Sequence, residues 1–299
     1  MIRYATAQDK PRIRSLWEQG FGNDEPYTSW YFGRVYRGER TLLYEEEGNI
    51  CSSLQLAPYL LSVGGRELPA AYIVGVVTEE SSRGRGYASD LLRRALNDLQ
   101  REGYQLALLY TDIPGFYEPL GFTCCYGLRR LRFAAAGGSD AFEKREPDPK
   151  TVAHCADVYR RMCRSFDGYV LRSDGNWLTY VGDWLTDRRN GLYVGRDAYI
   201  LTDVSEEAFA VKEIGYAYGA ALEQALACCA RLAADNGFSG FTWDAPESAP
   251  LPRQTQETRL PWVMARVTGG GGLSAHDAAA ATRHLLNAPD PRLWVGEIT

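Results

Sequence analysis

Histidine is scarce in this sequence: His154, His276 and His284 are the 3 histidines among 299 residues. They form no HExxH and no dense ligand cluster, so a metal site would have to be built almost wholly from carboxylates, and no metal is expected. Long apolar runs are also missing. Nothing approaches the roughly 20 residues needed to cross a bilayer, and the opening Met1-Ile2-Arg3-Tyr4-Ala5-Thr6-Ala7 runs into charged residues instead of a signal-peptide core. These absences predict a cytoplasmic protein with no membrane partner. Excess positive charge is lacking too: the formal charge is -5. An acidic chain has no bulk attraction for phosphate backbones, and nucleic acid is not expected as a partner. The 7 cysteines are an odd number. Cys124-Cys125 and Cys228-Cys229 are adjacent pairs, poorly suited to disulfides and unlike the CxxC spacing of zinc sites. They are expected to be reduced and mostly buried.

What the sequence does hold is apolar material, 45% hydrophobic and 12% aromatic, enough for two ordinary cores. Ile2–Ala5 reads as a strand, and Thr6 to Asp9 offers capping residues before an amphipathic helix carrying Ile13, Leu16 and Trp17. An aromatic helix is expected over 25–36. Strand formers at 41–45, 51–63 and 68–78, separated by Glu46-Glu47-Gly48-Asn49 and by Gly64-Gly65, predict an antiparallel meander. A helix over 84–101, a strand over 105–111, a turn near 115–119 and a strand over 123–133 complete a first α/β domain, residues 1–135. Residues 136–150 are small, charged and proline-containing, as a linker is.

The second domain, 151–299, is expected to hold helices at 152–165, 176–184 and 219–236. Its strands are expected at 191–202, 208–216, 238–243 and 261–267. A C-terminal helix at 274–287 and a strand at 292–298 follow the run Gly269-Gly270-Gly271-Gly272. The element order echoes the first half without a residue-level repeat.

The chemistry concentrates in one segment. Tyr72-Ile73-Val74-Gly75-Val76-Val77-Thr78 suits a buried strand, and its interior glycine predicts a bulge or a close backbone approach. Ser81-Ser82-Arg83-Gly84-Arg85-Gly86 then opens a helix whose Ala88, Leu91, Leu92, Ala95, Leu96 and Leu99 follow the i, i+3, i+4 pattern. The first turn of a helix has unpaired N–H groups and partial positive charge, and two glycines let a phosphate reach the backbone. From this turn alone, a structural loop and an anion site stand equally open. The turn is not GxxxxGK[ST], and the GxGxxG of a dinucleotide fold is absent.

Arg83-Gly84-Arg85-Gly86-Tyr87-Ala88 resembles the [QR]-x-x-G-x-[GA] signature of the GNAT superfamily of N-acetyltransferases. Phe116-Tyr117-Glu118-Pro119-Leu120-Gly121-Phe122 resembles that family's Y-x-x-x-G-F ending, and the element order from Ile2 to Phe133 agrees. The resemblance implies an α/β (α+β) fold with a mixed, mostly antiparallel sheet flanked by helices, followed by a second α/β domain that is itself GNAT-like. It implies acetyl-CoA as cosubstrate, with Val76, Val77 and Thr78 pairing with the pantetheine arm and Arg83, Gly84, Arg85, Gly86, Tyr87 and Ala88 holding the pyrophosphate. It implies further that Tyr117 faces the sulfur, where a phenol can protonate the leaving thiolate.

The acceptor would be a primary amine of a small molecule or a protein lysine. Such an amine must lose a proton, so Glu79 is expected as base. Adjacent strand residues face opposite ways, so at most one of Glu79 and Glu80 can face the thioester, with Glu80 then on the substrate side; a solvated pair is the competing reading. Asp24 and Glu25, with Trp30 and Tyr31, would form an anionic, aromatic mouth for a cation; helix capping and ordinary packing are the competing reading. The alternative for the whole protein is a non-catalytic acyl-CoA-binding regulatory module.

The two-part plan also resembles acetyltransferases of the enhanced-intracellular-survival type. Those carry a third, sterol-carrier-like domain, whereas about 27 residues follow the glycine run here, too few for such a domain. A catalytic role for the terminal carboxylate is therefore not expected. The second half has no comparable glycine turn, and it is expected to shape the acceptor pocket or a homo-oligomer interface.

Overall fold

The computed structural model describes residues 1–250, 256–269, 273–286 and 293–294. In chain order the elements are β1 (Ile2–Tyr4), α1 (Lys10–Phe21), α2 (Tyr27–Arg34), β2 (Thr41–Glu46), β3 (Asn49–Val63), β4 (Arg66–Thr78), α3 (Tyr87–Arg101), β5 (Leu106–Leu109), α4 (Pro114–Tyr117) and β6 (Thr123–Ala134). They continue with β7 (Glu143–Arg145), α5 (Pro149–Cys163), β8 (Gly168–Val170), α6 (Asp174–Trp184), β9 (Leu192–Val194), β10 (Ala198–Val204), β11 (Phe209–Tyr216) and α7 (Gly219–Asp235). The last are β12 (Gly240–Pro246), β13 (Gln256–Val267), α8 (Ala275–Leu285) and β14 (Leu293–Trp294).

Two compact units divide the chain. The first is Met1–Cys125 with the segment that begins at Val263 and carries α8; the second is built mainly of Tyr126–Trp262. This division differs from the expected 1–135, 136–150 and 151–299, and strand pairing is the reason. Residues 126–134 of β6 pair with β12 inside the second unit. Met264–Val267 of β13 pair with β5 inside the first. Each sheet is thus completed by a strand from the other half of the sequence. The expected linker contains β7, which pairs with β9.

In the first unit the strand order is β1-β2-β3-β4-β5-β13. Both hairpin turns are two residues long with positive φ at each position, Glu47 (51°) and Gly48 (80°), then Gly64 (54°) and Gly65 (76°). That turn geometry matches the twist of the strands it joins. Every pairing is antiparallel except β4 with β5. Parallel strands need a crossover, and α3 supplies it, burying Leu91, Leu92, Ala95, Leu96 and Leu99 at 5% exposure or less. Helix α1 packs Ile13, Leu16 and Trp17 into a core with Tyr31, Phe32, Leu43, Ile50 and Val77.

The second unit orders its strands β6-β12-β11-β10-β9-β7, antiparallel along that path except for β11 with β12, which α7 crosses over; off the path, β14 pairs in parallel with β8. The run expected as a single strand over 191–202 is instead β9 and β10, because Gly195 and Ala198 close a turn between them. Of the strand expected at 292–298, β14 is described and the remainder lies outside the described residues. Five of the seven cysteines are buried, and Cys124 and Cys125 are not. No helix among the described residues is long and apolar enough to cross a membrane.

Candidate active site

Strand β4 has two different edges. Toward β3 it is paired along its whole length, with a register shift between Ser53 and Gln55 that leaves Gly75 and Val76 bulged. Gly75 adopts φ +65°, and a Cβ there would lie 2.8 Å from the Trp17 ring and 3.0 Å from Gln55 Nε2. The bulge expected from the sequence therefore exists, and glycine is required both for φ and for space. Toward β5 the pairing ends at Tyr72 with Leu108. From Ile73 to Thr78 no strand among the described residues pairs with that edge. Val76, Val77 and Thr78 lie on this open stretch, where an extended ligand could add itself as a strand.

The stretch leads into the glycine turn. Glu79 N–H donates to the Cys51 carbonyl (2.9 Å), residues 80–82 form one 3-10 turn, and Arg83 Nε donates to the Thr78 carbonyl (3.3 Å). Gly84 and Gly86 take φ +77° and +84°, and an added Cβ at either would meet nothing within 4 Å. Gly86 is the N-cap of α3. The empty space over both glycines, facing the amides of a helix start, is what a diphosphate would need; the residues present fit that group.

The two arginines of the turn are not equivalent. Arg85 pairs with Glu46 at 2.9 Å, and Tyr87, stacked on Tyr44 with ring centres 4.0 Å apart, donates its hydroxyl to the same carboxylate at 2.6 Å. Arg85 thus anchors the turn to β2, and the Arg83 guanidinium donates to a backbone carbonyl. Ala88 is half-buried on α3.

Tyr117 closes α4 and is buried, its ring edge-on to Phe116 (4.9 Å) and Phe122 (5.9 Å). Burial alone pushes its phenol up to about 12. It has company that sequence reasoning missed. Tyr72, the last β4 residue paired with β5, has its hydroxyl beside the Tyr110 backbone N–H and within electrostatic reach of Tyr59, Tyr110 and Tyr117. Burial raises the Tyr72 phenol well above its ordinary value. A group of phenols therefore gathers where β4 and β5 part. Their separation along the chain leaves no local signal, although β-strand pairing of 72 with 108 places 110 close by.

Glu79 and Glu80 behave differently from each other. Arg12 Nη2 donates to Glu79 Oε1 at 2.6 Å and to the Ile50 carbonyl at 3.0 Å, which ties α1 to the end of β4. Glu80 is exposed. In the aromatic helix, Tyr31 is buried, stacked on Trp17 (4.7 Å), and donates to Gln55 Oε1 (2.9 Å). Trp30 is half-buried and stacked on Tyr27 at 6.3 Å. Glu25 accepts from Ser29 N (3.3 Å) and Ser29 Oγ (2.9 Å) and is paired with Arg14, so the ring of hydrogen bonds at the start of α2 is made by Glu25. Those Ser29 bonds, with Arg14, hold its carboxyl below the usual range. Asp24 contributes its backbone carbonyl to Thr28 (2.7 Å) and is exposed.

Among the described residues no group of three or more His, Cys, Asp or Glu is arranged to hold a metal.

Residues 1–125 match the model of the acetyltransferase (GNAT) domain family. An uncharacterized N-acetyltransferase of Streptomyces avermitilis is 30% identical over 120 residues, a stretch that covers 38% of this chain and 29% of the relative. The chain therefore matches less than a third of that curated relative's length. A GCN5-related N-acetyltransferase from Kribbella flavida superposes with a TM-score of 0.72 at 19% identity, covering 90% of this chain and 72% of the other. Eis1 from Mycobacterium abscessus superposes with a TM-score of 0.68 at 15% identity, covering 90% and 74%. At such identities the likeness establishes the fold: a mixed, mostly antiparallel α/β architecture shared with GNAT acetyltransferases.

Proposed function

Taking residues 1–125 as an acetyltransferase (GNAT) domain, we propose that the chain transfers the acetyl group of acetyl-CoA to a primary amine of a small molecule or a lysine. The observation that carries the reading is the continuity of the open β4 edge, Ile73–Thr78, with a left-handed glycine turn at the start of α3. One element would hold an extended pantetheine and the next its diphosphate, in the order the molecule presents them.

Acetyl-CoA supplies an acyl carbon on a thioester: the amine nitrogen forms the new C–N bond, the C–S bond breaks, and CoA leaves as the thiol. The chain's residues serve the proton movements and the charge. Amides of Arg83 to Ala88 bind the diphosphate, and backbone N–H groups of the β4 bulge stabilise negative charge on the acyl oxygen. Tyr117 donates its phenolic proton to the departing sulfur; a phenol held near 12 keeps that proton available across the neutral range. Glu79 accepts the amine proton through water, with Arg12 fixing its carboxylate. Asp24, Trp30 and Glu80, open or half-open to solvent, form the acceptor side, while Glu25 and Tyr31 support it through Arg14 and Gln55.

The test is incubation with acetyl-CoA and a panel of polyamines, aminoglycoside-like amines and lysine peptides, following free thiol. Amine-dependent thiol release supports the reading. Tight acetyl-CoA binding without it would identify the non-catalytic acyl-CoA-binding module instead.

A further inference from the structure

The first unit contains a cavity of about 300 Å³ whose walls share no residue with the glycine turn or the phenol group. Arg93 and Asn97 of α3, Leu120 behind α4, Arg266 and Thr268 at the end of β13, and Ala275 at the start of α8 line it. No carboxylate belongs to this lining among the described residues, while two guanidinium groups do.

Arg266 is the informative one. Its Nη1 donates to the Val267 carbonyl at 3.0 Å, and its Nε is buried with no hydrogen-bond partner. The burial comes from a tight contact: Gly121, held at φ +84°, presses so close that a Cβ there would stand 2.9 Å from Arg266 Nε and 2.9 Å from the Ala278 Cβ. A cation taken out of water without a counter-charge is costly, and burial depresses the Arg266 pKa accordingly. The second guanidinium, Arg93, is paired with Asp90 on its own helix at 3.0 Å, with both side chains largely in solvent. Asn97 adds an amide. Thr268 Oγ1 donates to the Tyr104 carbonyl and retains its lone pairs.

We propose that this cavity is an anion site for a phosphate monoester, held by the forked guanidinium of Arg266 with Arg93 and Asn97 as further donors. A tetrahedral dianion matches two guanidinium forks and an amide better than a single carboxylate does. The inference stands on the cavity alone and does not depend on acetyl transfer. The phosphate can come from two sources, the 3′-phosphate of CoA or a free phosphorylated small molecule, and the chemistry of the site is the same for both.

The experiment compares wild type, Arg266→Gln and Arg93→Gln as full chains. Calorimetric affinities are measured for inorganic phosphate, CoA and dephospho-CoA at constant ionic strength. Arg93 is largely exposed, so its variant reports even where Arg266→Gln folds poorly. The site is supported when each variant loses at least about tenfold in affinity for phosphate or for CoA, the scale of losing a charge-assisted hydrogen bond. A loss for CoA with dephospho-CoA unaffected assigns the 3′-phosphate. A loss for inorganic phosphate with both CoA forms unaffected assigns a separate phosphorylated ligand. Affinities that match wild type for all three ligands, or that fall equally for CoA and dephospho-CoA with phosphate unchanged, overturn the proposal. An inactive but phosphate-binding chain would leave it standing while the acetyl-transfer reading fails.

Discussion

Both units contain a strand, a crossover helix and a parallel strand, yet the joints between strand and helix differ. In the first unit β4 ends at Thr78 and α3 begins at Tyr87, and the residues between them include Gly84 and Gly86 in the left-handed region. In the second unit β11 ends at Tyr216 and α7 begins at Gly219. Both feeding strands also bulge, at Gly75 and Val76 in one and at Lys212 in the other. The fold can evidently make its crossover with a two-residue joint. The longer glycine turn adds nothing the sheet requires, and that is the physical reason for assigning it to a ligand.

The second unit also carries a buried ion pair of its own. In the second unit Glu213 is wholly buried and accepts from Arg172 Nη1 and Nη2 (2.8 and 2.7 Å), Tyr199 and Tyr180. Arg172 in turn lies over the rings of Tyr159, Trp177 and Tyr180 at 4.1 to 4.6 Å. Burial opposes ionisation of Glu213, but the charge and hydrogen bonds of Arg172 outweigh it and hold the carboxyl below its ordinary range. That polar group is satisfied from within. Buried polar atoms without a hydrogen-bond partner occur in both units, Gln55 Nε2 and Arg266 Nε in the first and Trp184 Nε1 and Trp243 Nε1 in the second.

The largest effect should come from breaking the internal pair. Arg172→Met strands a buried carboxylate and should cost about 3–5 kcal/mol of the second unit's stability, whereas Arg172→Met with Glu213→Leu should recover most of it. Urea unfolding followed at several wavelengths measures both, and acetyl-CoA affinity of the folded protein should change by less than about twofold. If the single variant abolished acetyl-CoA binding while still folded, the division of labour between the units would be wrong.

Next in size is Gly86→Val. A β-branched residue at φ +84° carries about 1–2 kcal/mol of strain and places a side chain in the cradle, so the acetyl-CoA Kd should rise about tenfold to hundredfold. Equilibrium binding with a fluorescent CoA analogue reads this directly.

Gly86 also shows what was legible in the sequence. The glycine turn was, because its strand, its two glycines and the 3.6-residue apolar repeat of α3 are all local. So was the need for glycine at 75, although that Trp17 and Gln55 are what crowd it was not. Tyr117 was visible through a short ending motif. Its neighbours Tyr72 and Tyr110 were not, since strand pairing brings them together. The unit boundary was hidden for the same reason: nothing local in β6 or β13 says that each strand closes the other half's sheet. Arg266 was invisible because its significance depends on a glycine at 121 and on α8.

Of similar size, but read in rate rather than in binding, is Tyr117→Phe, which should lower kcat by about a hundredfold and leave acetyl-CoA affinity within about twofold. Burial raises the phenol to about 12, so the proton-bearing form persists as pH rises through 10. Loss of rate from its ionisation should therefore begin only near pH 11, and an alkaline limb near pH 9 that vanishes in the variant would contradict the assignment.

The smallest expected change is for Glu79→Gln, about tenfold in kcat because the proton travels through water. Its stability cost should be below about 1 kcal/mol, since the Arg12 ion pair is partly exposed, with side chains 32% and 30% accessible. Steady-state rates over pH 6 to 9 with thermal unfolding of the same preparation separate the two effects.

The most direct measurement of the central claim is a calorimetric titration of the full chain with acetyl-CoA, repeated on Gly86→Val. The account predicts one molecule bound per chain, with affinity lost in the variant. Two equivalent sites, or one site that survives the substitution, would contradict it.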